Sequence, residues 1–482
     1  MRREDRSTAR VGAARLWSSV GLLAAVVLAG PIACRPEVDR PSLLIFLTVD
    51  TLRSDRLGAF GGDLGLTPNL DALAEESIVF TSTYAPTSFT LPSVSAMMTG
   101  RYPSELGIWL NESGLPDATP TLAGELKRRG WRTYAVVSNF VLRRGSGLDA
   151  GFDHYDDSFR DREIVRGLPE RTAADTTDAG LAMIDLCSEG GDSRCLVWIH
   201  YQDPHGPYTA PEERRARYLP IERERTDGRR MLPVNPGTEG LGGIPQYQYI
   251  DEQREVAFYR AGYDAEVSYL DEQIGRLLAG LEERGLMHAA LIAFAADHGE
   301  SLGEGNYWFA HGDYLSEVLV RVPFFLRIPG RAPARRSDVV SLVDLYGTLL
   351  RQLTGESDVS EHRGRDLLAQ AAEEGASVPY LDARGARKER RYGIVDGTHK
   401  WIVTERGEVS SGTLFQVGQD GRAVISEDPE IERRMSEQLD QLKRDLGGEA
   451  PEIRQPLSDA DREALRALGY AEESPSVEEQ AR

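Results

Sequence analysis

The sequence predicts an α/β fold: a three-layer sandwich with a large, mostly parallel central sheet, plus a smaller C-terminal α+β subdomain. Three observations point to it. Apolar runs of strand length recur along the chain and alternate with longer amphipathic helical segments. The runs are apolar almost throughout, as strands covered on both faces are. Beyond residue 378 the pattern gives way to short strands separated by turns. A chain of 482 residues with 40% hydrophobic and 28% charged side chains has the material for such a core, and these proportions exclude a disordered, collagen-like or multi-span membrane chain.

In chain order, Arg2, Arg3, Arg6, Arg10 and Arg15 precede an apolar run over 16–30 and then Pro31-Ile32-Ala33-Cys34. This is the order of a secretory signal, and the run is shorter than the roughly 20 residues a spanning helix needs. Residues 1–34 are therefore expected to be a signal peptide. The small residue before Cys34 resembles a bacterial lipobox, which would lipidate Cys34 and place the protein in the cell envelope, in the periplasm or on the outer membrane. Export would also allow Cys187 and Cys195 to pair.

The catalytic domain is expected over 42–354. Its first strand, 42–49, ends in Asp50; Thr67 and Pro68 open a helix as N-cap and first residue. Further buried strands are predicted at 132–138, 196–201, 289–296 and 323–328, and one long amphipathic helix runs from Val256 to Leu281. Residues 211–249 interrupt the pattern as an irregular insertion, charged at first and then rich in Gly and Pro. A linker over 355–377, the C-terminal subdomain over 378–470 and an acidic tail over 471–482 complete the chain. The formal charge of -21, from 56 basic and 77 acidic side chains, repels phosphate backbones, so no nucleic-acid partner is expected. Arg223, Arg225, Arg229 and Arg230 lie among Glu222, Glu224 and Asp227 and read as a solvated face.

Sites in parallel sheets collect at the carboxyl ends of strands, where Asp50, His205 and Asp297 fall. Asp50 on its own also fits a helix cap, and Thr90, at the start of a helix that carries Pro92 in its first turn, fits one too. Free N–H groups at such a helix start favour an anion. Asp297-His298-Gly299 directly after an apolar strand is harder to explain as packing, and its oxygen and imidazole donors suit Zn²⁺ or Mn²⁺ better than Ca²⁺. His205 and His311 stand beside Gly in loops, where a structural role is as natural as a functional one.

Taken together, the segments around Asp50, Thr90, Asp297 and the two histidines resemble the sulfatase family of the alkaline-phosphatase-like superfamily. The resemblance extends through 148–153, 269–275, Arg321-Val322-Pro323, 343–350 and 465–470. Sulfatases carry a Cys or Ser, then x-Pro-Ser-Arg, closing on Thr-Gly-Arg, and oxidise that Cys or Ser to formylglycine. Here Thr90 stands at the nucleophile position, Val94 replaces the Arg, and Thr99-Gly100-Arg101 closes the motif. Threonine cannot become formylglycine. The family's Asp-Asp pair is Asp50-Thr51 here, and its late Asp-Asn pair is Asp297-His298. What the resemblance implies is a metal-dependent hydrolase of sulfate, phosphate or phosphonate esters on a small molecule, glycan or lipid. One divalent ion would be held by Asp50, Thr90, Asp297 and His298. Thr90 would be the nucleophile, His205 and His311 would contact the oxyanion or leaving group, and Asn139 and Arg101 stand at substrate-binding positions. Two alternatives remain at this point: a transferase moving a phospho-headgroup onto an envelope glycan or lipid, and an inactive binding lipoprotein.

Overall fold

The computed structural model describes residues 40–464, apart from 163–164, 166, 168, 190–193, 227–228, 238, 357–361, 370–377, 386–388, 448–449, 452–457 and 459–463. The expected signal segment with Cys34, the acidic tail and the 465–470 landmark lie outside the described residues. Among the described residues, no helix is long and apolar enough to cross a membrane.

The central sheet is built from eight strands: β1 (Leu43–Val49), β2 (Ile78–Tyr84), β3 (Arg132–Val137), β4 (His154–Asp156), β5 (Cys195–Tyr201), β6 (Ala290–Ala296), β7 (Arg321–Arg327) and β8 (Ala334–Ser341). Their spatial order is β8-β2-β7-β6-β1-β5-β3-β4. β1, β5 and β6 are buried at every position, which explains why their sequences are apolar except at Thr48 and His200. β1 pairs in parallel with β5 on one side and β6 on the other. The sheet is mixed in one respect. β7 runs antiparallel to both β6 and β2, while the other pairings are parallel. The segment between β6 and β7 therefore stays at the carboxyl edge of β6 before the chain turns back, and Asp297 to His311 lie in it.

Among the described residues, eight α-helices of seven residues or more accompany the sheets: α1 (Pro68–Glu75), α2 (Thr90–Thr99), α3 (Leu122–Arg128), α4 (Ala173–Ser188), α5 (Glu212–Arg225), α6 (Val256–Glu283), α7 (Asp344–Thr354) and α8 (Pro429–Asp445). They pack in groups, α6 against α1, α4 and α5, and α2 against α3 and α7. A disulfide joins Cys187 near the end of α4 to Cys195 at the start of β5. After α7 the chain forms a five-stranded antiparallel sheet, from Tyr380–Arg384 to Ala423–Ile425 in sequence order. α8 packs Met435 and Leu439 into the same apolar cluster as Tyr392 and Leu414.

Two expectations change. The first part of the 211–249 insertion is the helix α5, whose buried positions are Arg215, Tyr218 and Glu222. Two of those three are charged, so an apolar period does not reveal the helix. The linker expected over 355–377 is packed where it is described: Leu367 is buried, and Arg363 N–H donates to the Gly100 carbonyl.

The C-terminal sheet is tied to the central one by a buried ion pair. Lys400 Nζ lies 2.8 Å from Glu317 Oε1, and the Tyr84 hydroxyl donates to Glu317 Oε2 at 3.0 Å. Lys400→Met leaves that carboxylate buried without its cation, which is expected to cost about 3–5 kcal/mol in urea unfolding. In a double-mutant cycle, adding Glu317→Gln recovers part of the loss.

Candidate metal centre and active site

The site begins where adjacent parallel strands end. Asp50 follows β1 and Asp297 follows β6, and their backbone N–H groups continue the ladder to the Tyr201 and Val49 carbonyls at 3.0 Å each. One residue past the end of neighbouring strands, the two carboxylates are placed side by side by the register itself. His298 comes next, and Asp50, Asp297 and His298 are all fully buried. His298 Nδ1 lies 3.0 Å from the Gly299 carbonyl, so the ring proton belongs on Nδ1 and Nε2 carries the lone pair. Nε2 is 3.7 Å from Asp50 Oδ1 and 3.6 Å from Asp297 Oδ2. One ligand atom from each of the three residues falls within 4.8 Å of the others.

The hydrogen bonds leave the converging atoms without partners. Asp297 Oδ1 accepts from the backbone N–H groups of His298 and Thr51 at 2.7 and 3.2 Å, and Asn139 Nδ2 donates to Asp50 Oδ2. Asp50 Oδ1 and Asp297 Oδ2 have no partner and no solvent. Burial, and then the charge of Asp297, raises the Asp50 carboxyl well above its ordinary value; burial raises Asp297 to about 8. Burial and the neighbouring His311 keep His298 neutral. Two carboxylate oxygens with no partner among the described residues and an imidazole lone pair are a donor set that fits a divalent cation, which would hold both carboxylates ionised. Thr51 between them sits at φ 52, a strained conformation for a β-branched residue. Its N–H donates to Asp297, and its carbonyl accepts from the Tyr263 hydroxyl at 2.7 Å.

Thr90 is the first residue of α2 and is fully buried. Its side chain caps nothing; Oγ1 lies 3.3 Å from His298 Nε2, at the edge of the ligand group. The Ser93 hydroxyl, one turn on, donates to the Asp297 carbonyl at 2.7 Å and ties the helix start to the ligand loop. The Leu91 N–H, expected to be free for an anion, donates instead to Asn111 Oδ1 at 2.9 Å. That bond aims the buried Asn111, whose Nδ2 has no partner among the described residues.

His205 and His311 meet beside this group. Their ring centroids are 5.2 Å apart, and the His311 ring is 4.6 Å from that of His298. Burial works against a charged His311, but the Glu300 carboxylate, 3.3 Å from Nδ1, outweighs it and raises the imidazole above its ordinary value. Tyr247 Oη and Gln248 Nε2, at the end of the 211–249 insertion, both donate to the Phe309 carbonyl and hold the strand that leads to His311. Asn139 touches the ligand carboxylate Asp50 rather than standing open as a donor. Arg101 follows the far end of the ten-residue α2, roughly 15 Å of helix from Thr90, so its place is with the turn and not with the nucleophile.

A sulfatase family profile matches residues 42–355. The chain belongs to the sulfatase family. It is 26% identical over 427 residues to iduronate 2-sulfatase from Homo sapiens, a match covering 70% of this chain and 74% of that one. It is 28% identical over 348 residues to choline-sulfatase from Rhizobium meliloti, covering 64% and 67%. The solved phosphonate monoester hydrolase of Agrobacterium radiobacter shares the fold, with a TM-score of 0.65 at 19% identity over 84% of this chain and 96% of that one. This sulfatase-family chain is thus an ester hydrolase by membership, with a ligand group of the kind that the metal-dependent family uses. Asn111, His200 and Glu300 stand in the site without a mark in the motifs. Of the three, His200 leaves the clearest signal, a histidine inside an otherwise apolar strand that must find a polar partner.

Proposed function

We propose that this sulfatase-family protein is an exported, envelope-anchored hydrolase of phosphodiesters or phosphonate esters that uses Thr90 as an unmodified nucleophile. The observation that carries the reading is the place of Thr90 Oγ1, 3.3 Å from His298 Nε2 at the edge of two orphaned carboxylates, in a residue that formylglycine chemistry cannot use. Asp50, Thr90, Asp297 and His298 would hold one divalent ion, with Zn²⁺ or Mn²⁺ suited to the mixed donors. Such an ion lowers the pKa of the Thr90 hydroxyl and offsets charge developing on the transferred group. Thr90 Oγ1, its proton released to solvent on ionisation, forms the bond to phosphorus as the bond to the leaving oxygen breaks, and that oxygen takes a proton from His311, held cationic by Glu300. His205, packed on His311, contacts the leaving group or the oxyanion. In a second displacement water, giving a proton to the now neutral His311, breaks the bond from phosphorus to Thr90 Oγ1 and releases a phosphate monoester from a diester or a phosphonate from its ester. The basic and apolar leader supports export, and the Cys187–Cys195 disulfide fits an oxidising compartment.

The test is turnover of a bis-aryl phosphate, an aryl phosphonate monoester and an aryl sulfate by one Mn²⁺- or Zn²⁺-loaded preparation. Phosphoryl substrates are expected to exceed the sulfate at least about tenfold in kcat/KM. Faster sulfate cleavage would overturn the phosphoryl reading and leave Thr90 as a sulfuryl nucleophile.

A further inference from the structure

Among the buried titratable groups that the reaction does not use, His200 stands beside a ligand carboxylate, that of Asp50. His200 lies on β5 in register with Thr48 of β1, and Asp50 lies two residues beyond Thr48. Alternation along a strand puts Thr48 and Asp50 on one face of the sheet, and Trp198 and His200 on the same face of the next strand. The four side chains form a line. Trp198 Nε1 donates to Thr48 Oγ1 at 2.9 Å, Thr48 Oγ1 lies 2.8 Å from His200 Nδ1, and His200 Nε2 lies 4.0 Å from Asp50 Oδ2. Thr48 and His200 are fully buried, and His200 Nε2 has no hydrogen-bond partner among the described residues.

The hydroxyl settles the tautomer. Thr48 Oγ1 accepts from Trp198, and among its hydrogen bonds in the described residues the only place for its own proton is His200 Nδ1. Nδ1 therefore carries the lone pair and Nε2 the proton. At 4.0 Å the Nε2–H is a dipole directed at Asp50 Oδ2 rather than a formed hydrogen bond. Asn139 Nδ2 donates to the same oxygen, while Oδ1 of that carboxylate has no donor and faces His298 Nε2. We infer that His200 is a positioning residue for Asp50: held by Thr48 as the Nε2–H tautomer, it joins Asn139 in engaging Oδ2 and so commits Oδ1 to the ligand centre. The inference rests on the reading of that centre as a cation site.

The experiment measures the Kd of Mn²⁺ by electron paramagnetic resonance, with unfolding followed in chelator to check the fold. His200→Phe and Thr48→Val are each expected to raise the Kd roughly 10- to 100-fold and to alter the bound-Mn²⁺ spectrum. Thr48→Val leaves the imidazole in place but removes the group that sets its tautomer, so it keeps the test open if His200→Phe fails to fold. His200→Gln, whose amide can donate toward Asp50, should recover most of the affinity. Wild-type affinity in a folded Thr48→Val protein would overturn the positioning role while leaving the cation site standing. A wild-type protein that binds neither Mn²⁺ nor Zn²⁺ would overturn both.

Discussion

Replacing Thr90 with alanine is expected to lower kcat by roughly 10³-fold or more on whichever ester the enzyme turns over, with the fold intact. The hydroxyl makes no cap bond in α2, and its recorded partner is His298 Nε2, so the helix loses little when it goes. Thr90→Ser keeps an oxygen at the same place and is expected to stay within about tenfold of the parent, at some loss of rotamer restraint. Acid quench during single turnover should trap the substrate's phosphoryl or phosphonyl group on Thr90 in the parent and none in the alanine variant. An alanine variant with near-parental kcat would show that another group makes the bond to phosphorus.

The second large effect has opposite signs in activity and stability. Asp297→Asn removes one of two carboxylates that face each other out of solvent. Activity is expected to fall roughly 10²- to 10⁴-fold together with bound metal, because a neutral amide is a weaker ligand. In chelator the same variant should be the more stable protein. The Asp297 carboxyl is raised by burial from 3.8 to about 8, so the native state holds a proton that the unfolded chain has already released. The stability of the chelated parent should therefore fall as pH rises between those two values, and Asp297→Asn should flatten that fall. Adding Mn²⁺ or Zn²⁺ should restore the parent at high pH and do little for the variant. Parental stability in chelator that is flat with pH would contradict the buried carboxylate pair.

Much of this was legible in the residues. Strands such as Ile45-Phe46-Leu47 and Ala293-Phe294-Ala295 are apolar because both faces are covered, and that property survives without any knowledge of partners. Asp50, Asp297 and His298 stood out because charge at the end of such a strand demands an explanation. What stayed hidden depends on long-range pairing. The antiparallel direction of β7 cannot be read from its buried run Val322 to Leu326, because an apolar run does not encode strand direction. The helix α5 buries Arg215 against the Phe258 ring, 4.3 Å from the guanidinium, and an apolar count passes over such a contact. Asn111 earns its place through one hydrogen bond to the Leu91 N–H, a relation between loops that spacing does not encode.

The arrangement of β1 between β5 and β6 also sets when the site can exist. Thr48 meets His200 across 152 residues of chain, and Thr51 meets Asp297 across 246. Loops that long close slowly, and parallel pairing returns no hydrogen bonds until both ends have met. During synthesis β1 is therefore an apolar segment with both edges open until the ribosome has made β5, and with one edge open until it has made β6, more than half the chain later. No fragment that stops short of β6 holds both carboxylates, so the ligand group cannot assemble before that strand has been made. A cell could hold the nascent chain with chaperones for its whole first half and gain no premature hydrolase by doing so.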